Sequence, residues 1–250
     1  MQKYEGFNFN LSNFACRYGK YNGKFNYIDI ASIDDEKLRN EKVDMLVDEL
    51  IKNSEETGFF TPDEHIFVNF GLGKRFKIDD TEIYHSFFNN LNKILKQKKS
   101  EKPGIIRTLA VTKTILDYYG KYNPKNANKR FELLDYWDAD EAPSIKGFKK
   151  QNSAACVENS ALAHNLFLLA GEEAYYCISK DTKFSNIEDG HAFVILKRII
   201  QGKEKFGIYD LSLQVYKELD GNPIKDCLDG KPLIVNGNIY ANARNANNKK

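Results

Sequence analysis

Residues 153–171 read SAACVENSALAHNLFLLAG, and this stretch decides the fold class. At about 100° per residue, Ala155, Leu162, Leu166 and Leu169 fall on one side of a helix, and Ala163, Phe167 and Ala170 widen that side. Val157, Ala161 and Leu168 take the opposite side. A helix that is apolar nearly all round belongs in a protein interior. Asn152 or Ser153 is placed to cap its start and Gly171 to stop it. Three β-like runs follow, Ala174–Ser179, His191–Ile200 and Lys205–Leu211, with another at Pro232–Val235. A helix first and strands after it predict an α+β fold, with a central buried helix packed on an antiparallel sheet.

Outward from this core the signals are more local. Leu38, Val43, Leu46, Val47, Leu50 and Ile51 recur at helical spacing and predict an amphipathic helix over 35–56. Residues 82–97 and 104–119 read as two more helices. Asn22-Gly23, flanked by aromatic residues, predicts a hairpin over 12–31. Residues 58–79 are aromatic and β-like, broken by Gly71 and Gly73; Gly71-Leu72-Gly73-Lys74 lacks the full frame of a phosphate loop. A Pro/Asn loop at 123–128 and a short apolar segment at 131–137 precede a polar stretch, 138–150, that reads as a linker or active-site loop. The division expected is a mainly helical N-terminal extension over 1–130, a core over 131–236, and a loose Asn-rich tail over 237–250.

Composition narrows the function classes. Hydrophobic residues make up 42% and charged residues 29%, the profile of a soluble globular protein. The 37 basic and 35 acidic residues nearly cancel, and the one basic run, Lys96–Lys99 with Lys102, suits a helix end; a nucleic-acid partner is not expected. Met1–Asn10 lacks the apolar core of a secretory signal, and no run approaches the ~20 apolar residues of a membrane span, so no membrane partner is expected either. Four cysteines, Cys16, Cys156, Cys177 and Cys227, are widely spaced without a Cys-x-x-Cys pair. They read as reduced thiols of a cytoplasmic protein, and no metal or other cofactor is expected.

Cys156 falls in the first turn of the central helix, where unpaired N–H groups and the helix dipole favour a thiolate and can hold an oxyanion. Taken alone it reads as a small buried hydrophobe; partners decide otherwise. Glu158, in the same turn, supplies a favourable charge there. His164 lies two turns further on and is out of reach of the thiol, as a polar notch in the core. His65 and His85 have no companion motif. His191 opens a strong β run after Gly190, and Phe206-Gly207-Ile208-Tyr209-Asp210 ends in an acid in apolar company. A carboxylate there needs a partner, and an imidazole supplies one. A two-residue turn at Gly202-Lys203 sets His191 opposite Gln214, so pairing with Asp210 calls for a longer loop or a bulge. Gln214 is therefore the reserve orienting residue.

Ala154-Ala155-Cys156-Val157-Glu158-Asn159-Ser160-Ala161-Leu162, then Gly190-His191-Ala192-Phe193-Val194 and Ile208-Tyr209-Asp210, resemble in order the transglutaminase-like superfamily of papain-type cysteine enzymes. The resemblance covers about residues 150–215. It implies Cys156 as nucleophile, His191 as general base and Asp210 as orienting acid, acting on a protein or peptide substrate. Gln151 and Asn152 are candidates for the side chain that completes an oxyanion hole. Ala192 stands where the family has an aromatic residue, which Phe193 follows. Hydrolysis of amide or peptide bonds, as in a cysteine protease or amidase, is the activity favoured. Cross-linking and deamidation share the machinery, an acyl-CoA-dependent N-acetyltransferase uses the same triad, and a catalytically silent binding module on the same fold is the non-enzymatic reading.

Overall fold

A computed structural model describes residues 9–10, 13–68, 74–98, 101–121, 123–135, 142–184 and 187–242. Strands β1 (Phe9–Asn10) and β2 (Phe14–Gly19) lead into helices α1 (Tyr27–Ala31), α2 (Glu36–Lys52) and α3 (Ser54–Thr57). The short pair β3 (Ile66–Phe67) and β4 (Arg75–Phe76) precedes α4 (Glu82–Gln97) and α5 (Pro103–Tyr119). A single 3-10 turn at Pro124–Asn126 enters α6 (Ala127–Asp135), and α7 (Ile145–Gln151) precedes the central helix α8 (Cys156–Leu169). The remainder is β5 (Glu173–Phe184), β6 (Ile187–Ile200), β7 (Lys203–Asp210), β8 (Val215–Leu219), α9 (Pro223–Leu228), β9 (Pro232–Val235) and β10 (Asn238–Asn242).

Among the described residues eight strands join one antiparallel sheet in the order β1-β2-β5-β6-β7-β8, with β10 pairing both β5 and β9. Alternation along β6 sorts its side chains to two faces. Ala192, Val194 and Leu196 join the core that contains α8. Phe193 and Ile195 join a second core with Cys16, Cys177, Cys227 and Tyr240. Helix and sheet are thus mixed as the α+β expectation has it, and every residue of α8 from Val157 to Leu169 is buried. Several of its polar members are hydrogen-bonded to neighbouring segments. Asn165 accepts from Phe60 N at 2.9 Å and donates to Phe60 O at 2.9 Å and Tyr84 Oη at 3.0 Å. His164 bonds Gly58 O at 3.1 Å. Gly58 has φ 68, and a Cβ there would lie 2.1 Å from Tyr18 O, so this pinned segment requires glycine.

Several local expectations are corrected. The hairpin over 12–31 does not form: Asn26 caps α1 by accepting from Ile28 N, and β2 pairs with β5 instead, Cys16 opposite Cys177. Phe14 and Cys16 bury their faces better in the sheet than across an Asn-Gly turn. Among the described residues of 58–79 there are only two short strands, and Gly71 and Gly73 lie outside the described residues. The Pro/Asn loop tightens into the 3-10 turn and α6, and the stretch 138–150 contains α7, while 136–141 lie outside the described residues. Residues 238–242 are not a loose tail but β10, with Tyr240 and Ala241 fully buried; 243–250 lie outside the described residues. Residue 130 is no break in packing, since one continuous core runs from Ile30 through α5 and α8 to Tyr209.

Candidate active site

Helix α8 begins where α7 ends in a tight reversal. Asn152 adopts φ 48 as the C-cap of α7, and Ser153 N returns to Phe148 O at 3.0 Å. Neither Asn152 nor Ser153 caps α8, as the sequence suggested. The N-cap is Ala155, which has no side chain to offer, so the first-turn N–H groups of α8 receive no side-chain acceptor. Glu158 closes the turn from the other direction: its Oε2 accepts from Ala155 N at 2.8 Å. The carboxylate is fully buried and held by Arg130, whose Nε and Nη2 donate at 3.2 and 2.8 Å. A buried carboxylate without that partner would be strongly destabilising. Glu158 therefore shapes the turn that carries Cys156. Cys156 itself is half-buried, whereas Cys16, Cys177 and Cys227 are buried.

His191 reaches the site from β6. Ser160, one turn beyond Cys156, donates its hydroxyl to Ala192 O at 3.0 Å and so ties α8 to the residue after the histidine. His191 Nε2 bonds Asp210 Oδ2 at 2.8 Å, both side chains buried. The register explains how. The β6–β7 turn falls at Gln201 and Gly202, both at positive φ, so Ile200 pairs with Lys203 and Val194 with Tyr209. The sequence placed that turn one residue later. Asp210 thus lies diagonal to His191 on one face, a separation that long side chains bridge. No longer loop is needed here, and the bulge lies on the other side, in β5, where Ser179 pairs with His191 and Thr182 with Asp189. Gln214, the reserve residue, has φ 55 in the exposed turn after β7, where its N–H bonds Leu211 O at 3.2 Å. It does not orient the imidazole.

Burial is the largest influence on the His191 ring and lowers its pKa. The hydrogen bonds to Asp210 and Cys156, with the charges of both, outweigh it and push the value up to about 10. With Nε2 taken by Asp210, Nδ1 is the nitrogen left for the sulfur. The structure thus brings Cys156, His191 and Asp210 together. Of the oxyanion candidates, Gln151 ends α7 with its Oε1 buried and unpartnered, and Asn152 is exposed with its carbonyl taken by Asn126 at 3.0 Å. No hydrogen bond joins either amide to Cys156 or His191 among the described residues. His65 lies in the segment before β3, and His85 pairs with Asp44 at 2.6 Å, both away from the thiol.

Three features escaped the sequence. Phe184, Phe193 and Tyr240 surround the imidazole with ring centroids at 4.8, 6.4 and 5.9 Å. Arg130 on α6 and Ser160 on α8 anchor the turn and the strand. Asn236-Gly237 after Pro232–Val235, both at positive φ, was a readable hairpin signal that would have brought Tyr240 into the sheet. Arg130 carried no such signal. Among the described residues no group of three or more His, Cys, Asp or Glu side chains is arranged to hold a metal ion, and no helix is long and apolar enough to cross a membrane. Neither protein families, nor curated proteins, nor solved structures gave a significant match to the chain.

Proposed function

We propose that this protein is a thiol-dependent acyl-transfer enzyme acting on amide or peptide bonds of a protein or peptide substrate, with hydrolysis as its net reaction, in the manner of the transglutaminase-like enzymes it resembles. One observation carries the reading: a half-buried thiol at the uncapped start of a buried helix faces an imidazole that a buried carboxylate holds from behind. In this scheme Cys156 Sγ attacks the carbonyl carbon, and the first-turn N–H groups of α8 receive the oxyanion. The C–N bond breaks as His191 gives its proton to the departing amine or ammonia. Water then attacks the thioester, His191 takes a proton from it, and the acid leaves with the thiolate restored. Asp210 keeps the ring oriented and offsets its charge. A catalytic thiol works reduced, so a reducing compartment such as the cytoplasm is the expected setting.

Iodoacetamide labelling with mass readout tests this directly. Fast labelling at neutral pH at Cys156 alone, lost in His191→Ala, is the expected result. Equal and slow labelling of all four cysteines would overturn it and leave the silent binding module. Incubation of wild type and Cys156→Ser with a peptide library then sorts the chemistry: cleaved peptides mean proteolysis, and a gain of about one mass unit without cleavage means deamidation.

A further inference from the structure

The Asp210 carboxylate is shared. Its Oδ2 accepts from His191 Nε2 at 2.8 Å and also from Tyr240 Oη at 3.0 Å, and its Oδ1 accepts from Leu213 N at 3.2 Å. Three donors thus fix a carboxylate that is 1% exposed. They come from β6, from β10 and from the turn after β7. Tyr240 is fully buried, and Asp210 is its hydrogen-bond partner. Its ring meets Phe184 and Phe193 edge-on at 5.2 Å each, so the phenol cannot swing to another acceptor without breaking that packing. A hydroxyl in an aromatic wall would be costly unless paired, and phenylalanine would fill the same space without that demand.

We propose that Tyr240 is a positioning residue of the site: its hydroxyl holds Asp210 Oδ2 so that the carboxylate keeps the His191 ring directed at Cys156 and carries less of its charge onto that ring. The inference rests on the Cys156–His191–Asp210 reading and extends it to the C-terminal strand. Burial first, and then the charge and hydrogen bond of Asp210, raise the phenol far above its ordinary pKa, so it stays a donor across the working pH range. The groups acting on the imidazole charge are Asp210 from β7 and Cys156 from α8, and Tyr240 acts through the first of them. A phenol that donates to a carboxylate takes part of its negative charge. Without it the anion keeps only the Leu213 N–H beside the imidazolium, more of its charge falls on the ring, and the ring holds its proton to higher pH.

NMR titration of the His191 ring protons in the full chain tests this. Tyr240→Phe keeps the aromatic wall and removes only the hydroxyl, and the midpoint is expected to move upward by about half a pH unit or more. An unmoved or lowered midpoint would mean that Tyr240 merely fills space, and would overturn the proposal. Asp210→Asn in the same titration separates the two levels: its midpoint must fall well below that of wild type. If it does not, the triad reading fails and this inference fails with it. If it does fall while Tyr240→Phe leaves the midpoint unmoved, only the role of Tyr240 is lost.

Discussion

His164 and His191 are both buried against α8 or its sheet, yet their protons behave in opposite ways. At His164 burial comes first and lowers the pKa; the hydrogen bond to the Gly58 carbonyl opposes it, the charge of Arg17 lowers it further, and the value falls to about 3. Because a carbonyl only accepts, Nε2 carries the proton of a neutral ring. At His191 burial also lowers the pKa, but a carboxylate and a sulfur reverse the result to about 10. Burial acts in the same direction on both rings, and the partner decides. A neutral acceptor makes a structural pin of an imidazole, whereas a buried anion makes it a charged group poised against a thiol.

Removing the ring is the largest way to break the contrast. His191→Ala should slow iodoacetamide labelling of Cys156 at neutral pH about 100-fold or more, since the sulfur loses its proton acceptor. His164→Ala should do the reverse. Labelling of the folded protein stays within about twofold of wild type, while denaturant unfolding shows a loss of about 2–4 kcal/mol, from the cavity and the abandoned Gly58 carbonyl.

The smallest effect, and the sharpest test of sign, is the pH dependence of melting. His191 has a folded pKa above its unfolded 6.5, so its stabilisation is complete below pH 6.5 and is lost as pH rises through about 10. His164 has a folded pKa below 6.5, so its contribution is present above pH 6.5 and is lost as pH falls toward about 3. Scanning calorimetry should therefore show a shallower alkaline limb in Cys156→Ala, which removes one of the groups that raise His191. It should show a shallower acid limb in His164→Ala. Interchanged limbs would mean that the two environments have been assigned the wrong way round.

The site was more legible than its surroundings. Cys156 was readable because a helix start has a local signature, and His191 because a continuous apolar β run follows it, although β6 begins earlier, at Ile187, and the histidine lies inside the strand rather than at its opening. Asp210 stood out as an acid that its strand could not bury alone. The support was hidden. Arg130 is 28 residues from the carboxylate it neutralises, and Ser160 reaches a strand 32 residues on. Tyr240 touches an aspartate 30 residues earlier. Each of these is an ordinary residue in its own segment, and only a contact gives it a role. The hairpin expected at Asn22-Gly23 erred for the same reason: a turn signal is local, whereas the partner that β2 takes, β5, lies beyond α8 in the second half of the chain.

Periodicity and helix-start chemistry act over a few neighbours, and they made the buried helix, the runs that became β5, β6, β7 and β9, and the residues Cys156, His191 and Asp210 legible, but not β8 or β10. The tertiary structure decided the register that sets Asp210 diagonal to His191, the partners that leave one buried imidazole neutral and the other charged, and the strand that lends Tyr240. Those depend on which surfaces exclude water from one another, and desolvation becomes definite only when distant segments have closed over the same group.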